Sequence, residues 1–164
     1  MMNYLYVFFI SMVPLIELRG AIPVAYVIKA NNPDFNLVIA YLLIVLGNML
    51  PVPFIYFFAR KVLEWGKDKP VIGKFFTFCI EKGEKGGRAL EAKAGKGLFV
   101  ALMLFVGIPI PGTGAWTGTL AASILDMNFK KSIIAVVSGV VLAGAIMGLG
   151  TQAVKMIVEL LDQM

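Results

Sequence analysis

The sequence predicts an all-α integral membrane protein. It reads as an inverted repeat, each half a re-entrant helical hairpin followed by a transmembrane helix, with a basic cytoplasmic linker between the halves. Three observations lead there. The chain is 59% hydrophobic and 15% charged, with a mean hydropathy of +0.85, a balance suited to lipid-facing surfaces. Two apolar stretches are each interrupted near their middle by prolines and glycines. The charge is also segregated: residues 60–96 hold ten Lys/Arg and five Asp/Glu, a net +5 that equals that of the whole chain.

At 164 residues the chain reads as one membrane domain, 1–164. Its first repeat is 4–59 (hairpin 4–30, span 35–59), its linker 60–97, and its second repeat 98–153 (hairpin 98–125, span 132–151). Hairpin 4–30 has two ten-residue arms, 4–13 and 21–30, around Pro14-Leu-Ile-Glu-Leu-Arg-Gly-Ala-Ile-Pro23. Each arm reaches about 15 Å as helix, half of a hydrocarbon core of about 30 Å. The alternative is a spanning helix kinked at Pro14. Two prolines, a glycine and two charges at mid-depth favour the hairpin, since such groups are costly against lipid.

The run 35–59 is uncharged and long enough to span. Gly47-Asn48-Met-Leu-Pro51-Val-Pro53 marks a break past its centre, readable either as a proline kink or as a means of placing Asn48 beside the hairpin tips. In the linker, Val71, Ile72, Phe75, Phe76, Phe78, Cys79 and Ile80 cluster among lysines, as suits a helix on an anionic leaflet. Gly83, Gly86, Gly87, Gly95 and Gly97 mark joints there and match no phosphate loop.

Residues 98–125 form 28 uncharged positions broken by Gly107-Ile-Pro-Ile-Pro-Gly-Thr-Gly-Ala-Trp-Thr-Gly118. As one helix this run would measure about 42 Å, too long for the core. Pro109 and Pro111 each remove a backbone donor and disfavour helix in the residue before them. The run divides into two half-length arms around a polar turn, which at that depth must face protein or a watery cavity. The last span, 132–151, carries Gly144 and Gly148, a small-xxx-small face for a helix of this chain or of a second protomer in a homo-oligomer. Residues 155–164 read as a short amphipathic end.

A hairpin returns to its own side, so the first opens outside and the second opens on the cytoplasmic side of the inner (cytoplasmic) membrane. Residues 60–96 and 126–131 then place +6 inside, while Lys29, Asp34, Lys155, Glu159 and Asp162 sum to −1 outside, as the positive-inside rule requires. No cleavable signal peptide is expected, because the first apolar run lacks a basic lead and contains Glu17 and Arg19. With one cysteine and no histidine, no metal, no cofactor and no Ser-His-type triad is expected. The basic linker is explained by topology, so no nucleic acid is expected as a partner.

The second arms begin near Gly20 and Pro23 and near Gly114 to Thr117. Helix N-termini present free N–H groups and positive dipole ends, and two converging make an anion site. Arg19 adds a planar cationic fork. Gly112, Thr113, Gly114 and Thr117 supply the turn and hydroxyls, and Trp116 walls the pocket. Glu17 is either Arg19's counter-ion or a carboxyl that carries protons. The expected substrate-binding set is thus Glu17, Arg19, Gly20, Asn48, Gly112, Thr113, Gly114, Trp116 and Thr117, with Pro14, Pro23, Pro109 and Pro111 as structural breaks.

Glu17-Leu-Arg-Gly-Ala-Ile-Pro23, Gly47-Asn48 with Pro51 and Pro53, and Pro109-Ile-Pro-Gly-Thr-Gly-Ala-Trp-Thr-Gly118 resemble the putative small multidrug export protein family of prokaryotic membrane proteins. The likeness covers nearly the whole chain. That family is distantly similar to the DedA/VTT-type superfamily, whose resemblance implies paired re-entrant hairpins and movement of polyprenyl-phosphate carriers or phospholipids. The paired arginines that the superfamily carries around its second hairpin are absent here.

The leading expectation is a small transporter or lipid translocase, not an enzyme. Its partners would be membrane lipids and a small anionic or lipid substrate, such as a lipid phosphate, held at the midplane between the tips. The alternatives are a proton-coupled exporter of small molecules or drugs using Glu17, an intramembrane lipid-phosphate phosphatase, and a non-transporting scaffold. The phosphatase motif Pro-Gly-x-Ser-Arg resembles Pro111-Gly-Thr-Gly-Ala115, but glycine and alanine stand where its serine and arginine would be, and no nucleophile–base pair is assembled.

Overall fold

The structure, a computed structural model, describes residues 1–14, 16–70, 73, 74, 77, 81 and 97–162. Val71, Ile72, Phe75, Phe76, Phe78, Cys79 and Ile80 and the glycines at 83, 86, 87 and 95 lie outside the described residues. Within them every regular element is a helix: α1 (Met2–Met12), α2 (Glu17–Asn31), α3 (Leu37–Met49), α4 (Val52–Lys67), α5 (Gly97–Gly107), α6 (Ala115–Ile124) and α7 (Phe129–Asp162).

Local chemistry sets these bounds. Pro14 holds Val13 extended (φ −73°, ψ 128°), so α1 stops at Met12. The side chain of Asn36 caps α3 by accepting from the N–H groups of Val38 (2.8 Å) and Ile39 (3.2 Å). Asn128 caps α7 in the same way, accepting from Lys130 (3.0 Å) and Lys131 (3.4 Å). The residue before each cap, Phe35 or Met127, is buried.

Two helical stretches are long and apolar enough to cross a membrane: Leu37–Lys67, with 31 residues, and Phe129–Leu161, with 33. Only 28% and 39% of their most apolar windows are buried. Helices this apolar and this exposed need hydrocarbon around them, not water. The chain is a membrane protein.

Three expected boundaries shift. The first span runs past residue 59 to Lys67, because nothing between Ala59 and Lys67 breaks a helix and Arg60 pairs with Glu64 one turn on (3.4 Å). The last helix runs unbroken to Asp162, because no proline follows Thr151 and Lys155 pairs with Glu159 (3.6 Å). Pro23 lies inside α2 and does not break it. It forfeits only the bond to the Arg19 carbonyl. The preceding turn is already wound by Glu17 N–H to Val13 O (3.0 Å) and Gly20 N–H to Ile16 O (3.0 Å), and Leu18, Ala21, Ile22 and Ala25 anchor it in the core.

The packing has a pattern. α1 lies mainly on α3 and α5 mainly on α7, while α2 crosses to α7 and α6 crosses to α4. Glycines permit both primary contacts. A Cβ on Gly47 would lie 2.5 Å from the Phe8 carbonyl oxygen of α1. One on Gly139 would lie 2.6 Å from that of Met103 in α5 and 2.7 Å from Val106 Cβ. Helix backbones in a membrane approach this closely only over small residues. The Gly144/Gly148 face is filled from within the chain, by Ile22 of α2 and by the Tyr41 hydroxyl of α3.

Gly139→Ala should therefore lower stability by about 1–3 kcal/mol, since a backbone carbonyl cannot step aside. Gly150→Ala, where a Cβ meets nothing within 4 Å, should cost nothing. Thermal unfolding in detergent checks the pair, and equal midpoints would refute close backbone packing as the basis of the α5–α7 contact.

Candidate functional site

The break between α1 and α2 meets the break between α5 and α6. Glu17, the first residue of α2, has φ +50°, a left-handed conformation that costs a non-glycine residue free energy unless its surroundings hold it. What holds it is the other break. Its carboxylate, 4% exposed, accepts the Trp116 backbone N–H at 3.2 Å on the first turn of α6, where amides have no helical partner and the dipole favours an anion. Gly114 precedes that turn with φ +141°. A Cβ there would lie 2.7 Å from Glu17 Cδ and 2.8 Å from Oε1. Both the backbone conformation and the approach of the carboxylate require glycine.

Arg19 reaches the same loop from the other side. Its Nη1 donates to Ile110 O (2.5 Å) and its Nη2 to Thr113 Oγ1 (2.7 Å). The Thr113 hydroxyl in turn is within donating distance of the carbonyls of Ile108 (2.9 Å) and Ile110 (2.8 Å). Glu17 and Arg19, which a regular helix would turn away from each other, thus both reach across to the second break. Three of the five guanidinium N–H groups carry no bond within the described residues.

Between these groups and α4 lies a cavity of about 210 Å³, lined by Pro14, Glu17, Arg19, Ile55, Gly112, Thr113, Trp116, Thr117 and Leu120. A second cleft of about 380 Å³ shares Ile55, Trp116 and Leu120 with it and continues along Phe58, Ala59, Val62 and Leu63 of α4. The first is polar on one wall. The second is apolar throughout.

Of the residues expected from the sequence, Glu17, Arg19, Gly112, Thr113, Trp116 and Thr117 line the cavity together, and Gly114 makes room for the carboxylate. Pro14 ends α1 and also lines the cavity. Pro109 and Pro111 lie in the non-helical segment between α5 and α6. Gly20 sits within α2 against Ile16 and is not part of the lining. Asn48 is fully buried, its side-chain polar atoms have no partner among the described residues, and it too stands outside the lining.

Two features escaped the sequence reading. The α4 wall (Ile55, Phe58, Ala59, Val62, Leu63) was hidden because its helical spacing was divided between a span and a loop, although apolar residues at i, i+3, i+4, i+7 and i+8 signal one face. The other is a polar tie joining α4 to the turn before α7. Ser123 Oγ donates to Tyr56 O (2.9 Å), the Tyr56 hydroxyl donates to Met127 O, and Arg60 pairs with Asp126. No group of three or more His, Cys, Asp or Glu that could hold a metal occurs among the described residues.

Glu17→Ala should cost about 1–3 kcal/mol of stability by leaving the α6 amides unsatisfied in an apolar setting, whereas Glu17→Gln, which keeps an acceptor oxygen, should cost less than half of that. Thermal unfolding of both variants reads the difference. If both match the wild type, the carboxylate does not hold the two breaks together.

Comparison with known proteins adds one match. A protein family described as putative small multi-drug export protein matches residues 17–146. No curated protein and no solved structure matches the chain. The matched residues run from Glu17 at the first break, through the second break, to Ile146 within α7. The chain belongs to the family of putative small multi-drug export proteins.

Proposed function

We propose that this protein is a small inner-membrane exporter that takes an anionic amphiphile, seating the charged end on Arg19 and the apolar body against α4. The observation that carries this reading is that the 210 Å³ cavity, polar on one wall, adjoins the 380 Å³ apolar cleft and shares Ile55, Trp116 and Leu120 with it as lining. A charged head and a greasy tail are recognised side by side, the plan of a site with few polar groups in an apolar pocket. Arg19 brings donors that carry no bond among the described residues. The family match supports export. Lipid phosphates, the cargo that the DedA/VTT resemblance implies, are one member of the class.

In this reading α1–α2 and α5–α6 are re-entrant pairs, and the halves form an inverted repeat with the site between them. Four observations support the repeat. α1, α5 and α6 have 11, 11 and 10 residues, about half a bilayer each. Positions 92 apart play matching parts: Asn36 and Asn128 as caps, Phe35 and Met127 as buried residues before them, Gly47 and Gly139 as close-approach glycines. The contacts of α1 with α3 and of α5 with α7 correspond, as do the crossings of α2 to α7 and α6 to α4. Finally, Arg60 pairs with Asp126, so the end of α4 and the turn before α7 share a side, and the basic linker 60–97 makes that side cytoplasmic.

Arg19→Lys should weaken binding of an anionic amphiphile although charge is kept, because an ammonium cannot reproduce the fork. Arg19→Ala should lose about 2–4 kcal/mol of affinity. Binding is read by ligand-induced thermal stabilisation of purified protein. Folded variants that both bind like the wild type would make Arg19 structural and end this reading.

Topology is checked separately by cysteine labelling in a Cys79→Ser background. Lys67→Cys and Lys130→Cys should react from the cytoplasmic side and Asp34→Cys from the other. Labelling of position 130 together with position 34 would replace the re-entrant arrangement with plain spans.

A further inference from the structure

We infer that the charged end of the cargo is a carboxylate, and that it binds by exchanging with the protein's own Glu17 carboxylate on the first turn of α6; the inference rests on reading this cavity as the substrate site. The protein itself shows which group the place accepts. Glu17 Oε1 lies 3.2 Å from the Trp116 amide nitrogen, and Gly114 leaves the space for it. Arg19 faces the same cavity, and three of its N–H groups carry no bond among the described residues. A guanidinium and a helix N-terminus both favour a negatively charged acceptor. Trp116 lines both the cavity and the apolar cleft as a shared wall.

The charge count narrows the class. Among the described residues lining the cavity, Arg19 is the only cation and Glu17 the only anion. A carboxylate adds one negative charge to a balanced site, and Arg19, two residues from Glu17, is then shared between the ligand and the displaced side chain. A phosphate monoester dianion would add two to a site with a single cation, a heavy desolvation cost in an apolar setting. A cationic head would find its only partner already engaged by amides. The cleft along Phe58, Val62 and Leu63 takes the hydrocarbon.

The test compares wild type, Glu17→Ala and Glu17→Gln in lipid nanodiscs by thermal stabilisation with butyrate, hexanoate, hexyl phosphate and hexyltrimethylammonium at matched ionic strength. Hexanoate should stabilise Glu17→Ala at a concentration tenfold or more below that needed by the wild type, with Glu17→Gln between them. Hexanoate should also act at roughly tenfold lower concentration than butyrate, as two more buried methylenes require. Hexyl phosphate equalling or surpassing hexanoate in Glu17→Ala overturns the carboxylate assignment. Equal hexanoate concentrations in wild type and Glu17→Gln overturn the exchange, and that comparison decides alone if Glu17→Ala does not fold. Hexanoate binding that is lost in Arg19→Ala but indifferent to Glu17 leaves the anion site standing and removes only this inference. Preference for hexyltrimethylammonium removes both.

Discussion

The structure depends on the need to satisfy the backbone of two helix breaks that meet each other. Each N–H or C=O left unpaired away from water costs free energy comparable to a lost hydrogen bond. The turn between α5 and α6 offers carbonyls, Pro109 and Pro111 in it carry no donor, and α6 begins with amides that have no helical partner. The first break supplies the complement of each. Arg19, a side chain of donors only, goes to the carbonyl of Ile110, and Glu17, a carboxylate that only accepts, goes to the amide of Trp116. The Glu-x-Arg spacing spans the distance between one helix end and the next helix beginning.

That exchange of partners ties the halves at one point, and close packing does the rest. Gly47 lets α1 approach α3 and Gly139 lets α5 approach α7, while α2 packs on α7 and α6 on α4. The crossings differ in chemistry. α6 and the turn after it are fastened to α4 by Ser123, Met127 and Asp126 against Tyr56 and Arg60. Between α2 and α7 the polar contact is Gln152 Nε2 donating to the Tyr26 hydroxyl (3.1 Å).

Much of this was legible in the sequence. Pro14 and Pro109 disfavour helix in the residue before them, and Pro109 and Pro111 together deny donors to a short segment, so those breaks were readable. Pro23 was not, because a proline in an early turn loses a single bond and core packing by Leu18 and Ile22 outweighs it. The helical extension to Lys67 was hidden by charge, which marks a solvated face as readily as a loop. Most of the lining was readable because glutamate and arginine inside an apolar run are too costly to be idle. Their partners were not, because which N–H a carboxylate meets is decided by folding, as residues 99 apart (Glu17 and Trp116) come together. The repeat of Asp34-Phe-Asn36 at Asp126-Met-Asn128 was on the page and would have set the register between the halves.

If the cavity is the substrate site as proposed, its polar groups already bond one another, so it would bind by replacement, and this constrains affinity. A ligand gains its own contacts less those of the Glu17 latch, so the polar end contributes discrimination by charge more than tight binding. The apolar cleft contributes in proportion to the surface it covers, about 25 cal/mol per Å², and it distinguishes neighbouring hydrocarbon shapes poorly, since one methylene more or less changes little. Breadth toward the tail and strictness toward the head then follow from the same arrangement. Release follows from it too, because the departing ligand leaves behind a helix terminus that Glu17, tethered within reach, refills at no translational cost.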